Sequence, residues 1–152
     1  MSDVPAQEIP AQEIPVQEIP PLLLRVIPES AGFIAEKYDE PAEAAVLTRD
    51  ALLDLYELLT ECFTTPVLMP QLESASPDTD VLERCWDFVE RIVSHSSEHV
   101  SGAVYFEVLE QLLNADGLLE AAWPSMKDRT RARTVMMLDF YDVRVRGTNQ
   151  YG

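Results

Sequence analysis

Between Leu52 and Leu138 the apolar residues recur every three or four positions, and that one period leaves little choice of fold. Leu52, Leu55, Tyr56, Leu59 and Phe63 share one helical face. Leu82, Cys85, Trp86, Val89, Ile92 and Val93 share another. A face that repeats every 3.6 residues cannot line a strand, where side chains alternate from side to side. The longest alternation is Val143-Arg144-Val145-Arg146, too short to build a sheet. The chain is therefore expected to be all-α, about five helices with short loops, as a compact bundle or a short HEAT-like stack. Its 152 residues, 47% of them hydrophobic, suffice for one domain with a real core.

Punctuation residues divide the pattern. A first long helix is expected over 41–63, with Pro41 at its start and Thr65-Pro66 beyond its end. Ser76-Pro77-Asp78 opens a second helix with a capping residue, a proline and an acid at the positive end of the helix dipole. A third, over 98–113, is apolar around most of its circumference, including Tyr105 and Phe106, which marks it as central. Asn114-Ala115-Asp116-Gly117 stops it. A short turn over 118–122 leads to Trp123-Pro124, and a last helix starts at Ser125, with Asp128 three residues on in a variant of the capping box. Met126, Met136 and Met137 are expected as core filler.

The first 21 residues obey a different rule. AQEIP, AQEIP and VQEIP follow one another, so that Ile9-Pro10, Ile14-Pro15 and Ile19-Pro20 each close a unit. Proline removes a backbone donor and disfavours helix in the residue before it, which predicts an extended tail with Glu8, Glu13 and Glu18 in solvent. The repeat is too short for a solenoid unit. Residues 1–21 are thus expected to be a disordered tail, 22–146 a single helical domain with Leu22 to Ile27 as an apolar strap, and 147–152 a frayed end.

Charge narrows the partner classes. The formal net charge is −16 and the sequence pI about 4.3. Such a surface repels nucleic acid and anionic lipid and favours a basic partner. The charge is uneven: residues 1–40 carry a net −6, 41–122 a net −13 and 123–152 a net +3, so the last helix is basic on an acidic body. No opening secretory pattern and no apolar run near the length of a membrane span is present, which leads us to expect no membrane association. Cys62 and Cys85 lie in helical patterns without metal-type spacing and are expected as free, buried thiols in a cytoplasmic protein.

Two constellations could carry function. Asp50, Asp54, Glu57 and Glu61 recur along one helical face, and Glu83, Asp87 and Glu90 along another. Like charges at that spacing repel, so such stripes are either solvated faces or docking surfaces for a basic protein. His95-Ser96-Ser97-Glu98-His99 matches H-x-x-E-H, in which two imidazoles one helical turn apart hold zinc and the glutamate activates water. The serines around His95 read as a helix stop followed by a helix start. The histidines are therefore expected in a loop, with Ser96 or Ser97 capping the next helix, and the zinc hydrolase is the remote alternative. Phosphate-binding loops, dinucleotide fingerprints and nucleophile elbows are absent, so neither a cofactor nor catalysis is expected.

The run VLERCWDFVERIV, a short polar loop, and AVYFEVLEQLL resemble a group of small, acidic, all-helical bacterial proteins of uncharacterised domain type. Leu82, Glu83, Asp87, Phe88 and Glu90 match the first helix of that pattern, and Phe106, Val108, Leu109 and Glu110 the second, within 81–141. The resemblance implies a helical fold and an immunity-type function, in which the protein neutralises a cognate antibacterial toxin. The expected function is thus a non-enzymatic protein-binding module, an inhibitor occluding a basic toxin or effector. A helical adaptor that binds through a groove between helices is the alternative.

Overall fold

The structure, a computed structural model, describes residues 13–141. None of them forms a strand, and the all-α expectation holds. The helices are α1 (Ile19–Val26), α2 (Ala31–Tyr38), α3 (Ala42–Thr48), α4 (Ala51–Leu59), α5 (Met69–Glu73), α6 (Thr79–Ile92), α7 (Glu98–Val104), α8 (Leu118–Ala122) and α9 (Asp128–Phe140). They are shorter and more numerous than the five expected, because several long helices are broken or change pitch. The expected frayed end at 147–152 and the first twelve residues of the expected tail lie outside the described residues.

α6 follows its sequence most closely. Asp78 is its N-cap, and Oδ1 accepts from the Asp80 amide at 3.0 Å and the Val81 amide at 3.3 Å. Pro77 therefore precedes the helix instead of standing in its first turn. All six expected face residues are buried, joined by Val81 and Phe88. Trp86, Phe63 and Phe88 are the largest fully buried side chains, and the rings of Phe63 and Phe88 meet edge-on at 5.2 Å between centroids. α6 packs on α1, α7 and α9, and α4 packs on α7.

The expected helix over 41–63 is two helices. It breaks at extended Arg49 and Asp50, where the Asp50 side chain caps α4 by accepting from the Leu52 amide at 3.1 Å. At the other end the chain does not stop at Pro66. It continues as a π-helical stretch, Thr60–Leu68, and then α5. Pro66 lies inside this stretch, where it has no N–H to donate to the preceding turn. The third expected helix also widens, into a second π stretch at Tyr105–Leu109 and a 3-10 turn at Glu110–Leu113. The two wide stretches face each other: the Thr64 hydroxyl donates to the Glu107 carbonyl at 2.8 Å, and the Thr60 hydroxyl donates to the Glu107 carboxylate.

The N-terminal expectation needs correction. The third repeat unit is folded, with a 3-10 turn at Val16–Glu18 that runs into α1. Pro20 and Pro21 fall in the first turn of α1, where a missing N–H costs nothing because those amides have no partner within the helix. Ile19, Leu22, Leu23 and Ile27 are fully buried, each contributing roughly 1.5–3 kcal/mol of transfer free energy. The apolar strap is therefore a core helix. Residues 28–40, expected as a loop or short helix, form a 3-10 turn and then α2, which ends with Asp39 in the left-handed region at φ 56°.

The last helix starts at Asp128 and not at Ser125, which closes a 3-10 turn, Trp123–Ser125. Gly117, at φ 91°, turns the chain into α8 after the expected stop. Cys62 and Cys85 are free and buried, and burial pushes their thiols up to about 11 and about 12.

Candidate interaction surfaces

Each of the seven acids expected at a docking surface has a partner inside the chain. Asp50 caps α4. Asp54, half-buried, accepts from the Tyr38 hydroxyl, and burial holds its carboxyl above the usual range. Glu57 and Glu61 both accept from Lys37 of α2, at 3.1 and 3.0 Å. Burial alone would lower the Lys37 pKa, but the bonds to Glu61 and Glu57 outweigh it and hold it raised. On α6, Glu83 and Asp87 take Lys127 at 2.8 and 3.7 Å, and the bond from Glu83 is the main reason the Lys127 pKa stands high.

Glu90 does the most. Its Oε2 accepts from the Arg129 amide at 2.9 Å, and its Oε1 accepts from the Thr130 amide at 2.9 Å and the Thr130 hydroxyl at 2.8 Å. The α9 N-terminus has no cap of its own, since Lys127 stands at that position and its side chain makes no capping bond. A carboxylate from another helix supplies it. The basic last helix thus docks on the acidic body of its own chain, and the two acidic faces are in part intramolecular joints.

Among the described residues the histidine motif does not come together with a third metal-ligating side chain. His95 lies between α6 and α7, and its side chain is 4% exposed. Its Nδ1 accepts from the Ser97 amide at 2.9 Å, which puts the ring proton on Nε2, 2.8 Å from the Ile14 carbonyl. Both ring nitrogens are therefore engaged. His99 packs its ring against Tyr56 at 5.0 Å, and its buried Nε2 has no hydrogen-bond partner among the described residues. Glu98 is exposed in the first turn of α7. Among the described residues no group of three His, Cys, Asp or Glu side chains is placed to hold a metal. Ser97 is the α7 cap, as one of the two expected choices, accepting from the Val100 amide at 3.4 Å.

The second repeat unit lies on this same loop. Glu13 Oε1 accepts from the Ser96 amide at 2.9 Å and Oε2 accepts from the Ser96 hydroxyl at 2.6 Å. The hydroxyl bond first, then the amide bond, lowers the Glu13 pKa. The Ile14 side chain is buried against the core. Glu13 was expected in solvent. The repeat pattern alone gave no sign that one of three equal glutamates would find a seat.

A further surface carries no acids from either stripe. Tyr105, Phe106, Arg133, Met136, Met137, Phe140 and Tyr141 line a groove of about 380 Å³ between the second π stretch and α9. Phe106, Met136 and Phe140 are 45%, 58% and 77% exposed. The Arg133 guanidinium stacks over Tyr105 at 4.8 Å, and the Tyr141 hydroxyl donates to the Glu110 carboxylate. Phe106 was expected on a core face and Met136 as filler, while Met126 and Met137 are indeed buried. Adjacent residues stand about 100° apart on a helix, so the pairs Tyr105-Phe106 and Phe140-Tyr141 spread over a wide face, and nothing local shows which of them a neighbouring helix covers.

No helix among the described residues is long and apolar enough to cross a membrane. In comparisons with known proteins, no family model, no curated protein and no solved structure matches the chain.

Proposed function

We propose that this chain is a non-catalytic protein-binding module, built as a compact helical bundle, that engages a basic protein partner through the groove between the second π stretch and α9. The bundle is supported by packing between helices far apart in sequence, α1 on α6 and α4 on α7, which a stack of nearest neighbours would lack. The observation that carries the functional reading is the exposed Phe106, Met136 and Phe140 cluster around an open groove. Aromatic and methionine side chains in contact with solvent are the usual anchors of interfaces, and a net charge of −16 selects a basic partner and speeds its approach. Two free, buried thiols suit a bacterial cytoplasm.

The immunity-type inhibitor, which covers a basic toxin, is the second reading. The resemblance over 81–141 and the net charge favour it. In that form the exposed carboxylates of Glu57, Glu61, Glu83 and Asp87 carry the contact, exchanging Lys37 and Lys127 for the partner's cations.

Affinity capture from the protein's own cells separates the two readings, using full-length baits at low and high salt. A Met136→Ser/Phe140→Ser bait tests the groove and a Glu57→Lys/Glu61→Lys bait tests the acids. The groove reading expects one stoichiometric basic protein that the groove bait loses at least tenfold and that survives high salt. Loss with the acid bait and at high salt, with the groove bait unaffected, transfers the function to the inhibitor form. No stoichiometric partner on any bait overturns both.

A further inference from the structure

The loop between α6 and α7 holds a piece of the chain's own repeat in the manner of a bound peptide. The polar side chain that anchors it, His95, is 4% exposed and has its tautomer set by the Ser97 amide. It donates to the main-chain carbonyl of Ile14. Ser96 donates twice to the Glu13 carboxylate, once from its amide and once from its hydroxyl. Ile14 puts its side chain into the core, at 9% exposure. One acidic side chain, one main-chain carbonyl and one aliphatic side chain are thus recognised in three consecutive ways, and Pro15 follows in extended conformation at φ −61°, ψ 145°. These are the elements of short-motif recognition: polar groups set the register and one pocket sets the side chain.

We propose that the His95–Ser96 loop is a recognition site for the sequence Glu-Ile-Pro, and that the first repeat unit is its second ligand. Residues 6–10 and 11–15 read AQEIP in both cases, so every group that the seat contacts is duplicated five residues upstream. The third unit cannot compete, because Ile19 is fixed in the core at the start of α1. The two identical units differ in the length of chain that joins them to this fixed point. Ile14 lies five residues before Ile19 and Ile9 lies ten, so seating the first unit doubles the joining length, which costs roughly threefold in a flexible chain, and it also gives up the Val16–Glu18 turn. The repeat then has a physical role: it provides a spare ligand in cis, so the seat stays filled when the second unit is lost or drawn away.

The test follows the Ser96 amide by two-dimensional NMR in the full-length chain, where the charged bond from Glu13 shifts the resonance downfield. Glu8→Ala is expected to leave the resonance in place, since the second unit remains. Glu13→Ala is expected to keep most of the downfield resonance, supplied by Glu8. The Glu8→Ala/Glu13→Ala double variant is expected to lose it, and a blocked peptide of sequence AQEIP is expected to restore it in a saturable way, while a blocked peptide of the same composition in the order APIEQ is not. Far-UV circular dichroism confirms that the double variant is folded, and Ser96→Ala, which keeps the amide but removes the hydroxyl donor, should weaken peptide binding several-fold. If Glu13→Ala loses the resonance as completely as the double variant, or if the two peptides act alike, the seat does not read the motif and the proposal fails.

Discussion

The acids on α4 and those on α6 look alike in the chain, carboxylates in a row on one helical face, but they do different work. Asp54, Glu57 and Glu61 crowd around Lys37, with more negative than positive charge at the joint. Glu83 and Asp87 share Lys127, while Glu90 has the free amides of a helix start to itself. The first group is a repulsive face tempered by one cation. The second is a clamp that fixes the basic α9 to the body. Spacing alone cannot distinguish them, because what matters is which helix passes in front.

The largest effect that would break this contrast is at Glu90. Glu90→Ala removes three charge-assisted bonds and strands the buried Thr130 hydroxyl, with an expected loss of about 2–3 kcal/mol, read as a shifted urea midpoint at unchanged slope. Glu90→Gln, which keeps an accepting oxygen, should lose roughly half of that. If Glu90→Ala costs no more than a surface ion pair, the clamp does not exist.

On the α4 face the central residue is Lys37. Lys37→Met should cost about 1 kcal/mol at neutral pH, because Asp54, Glu57 and Glu61 are then left to repel one another. The loss should shrink at pH 4, since Asp54, held above the usual carboxyl range by burial, is by then taking up its proton. Thermal melts of variant and parent at both pH values check this.

Asp54 gives the opposite sign to an ordinary salt-bridged acid. Its folded-state pKa is raised, mainly by burial, so the folded protein holds this proton more tightly than the unfolded chain does. Its contribution is therefore favourable at low pH and is lost as pH rises from the ordinary aspartate value through the raised one. Asp54→Asn should remove that falling limb and raise the melting temperature at pH 7 relative to the parent, with little change at pH 3. A lower melting temperature at pH 7 would mean that the charge on Asp54 is needed by Lys37.

The smallest effects belong to the single exposed partners. Glu57→Gln leaves Glu61 on Lys37, and Glu83→Gln leaves Asp87 near Lys127, so each should change stability by about 0.5 kcal/mol or less. Comparing these with Glu90→Ala in one denaturation series sharpens the distinction between decorating a face and holding a helix.

Much of the fold was legible. Every residue read onto the apolar face of α6 is buried, because a helix buried on one side records its environment at every third or fourth position, although Val81 and Phe88 also belong to that face. Ser97 was legible for a similar reason, since a cap is a contact within four residues of chain, whereas the cap of α6 is Asp78 and not the expected Ser76. Pro66 misled because a proline in an α-helix and a proline in a π turn have the same sequence signature and opposite consequences. The groove was not legible, because Tyr105, Phe106 and Met136 were assigned to the core and periodicity does not show which apolar residues a neighbouring helix leaves uncovered.

The sequence by itself determined that this chain is helical, strongly acidic, and in need of a core drawn from α4, α6 and α7. Those properties follow from local periodicity and from summed charge, which do not depend on how the helices meet. Tertiary structure decided which carboxylate becomes a cap, which of two equal repeat units is seated on His95 and Ser96, and which aromatics stay in solvent. Each of those outcomes rests on a contact between residues about thirty to eighty positions apart, whose partners are chosen only when the packed helices bring them within hydrogen-bond reach.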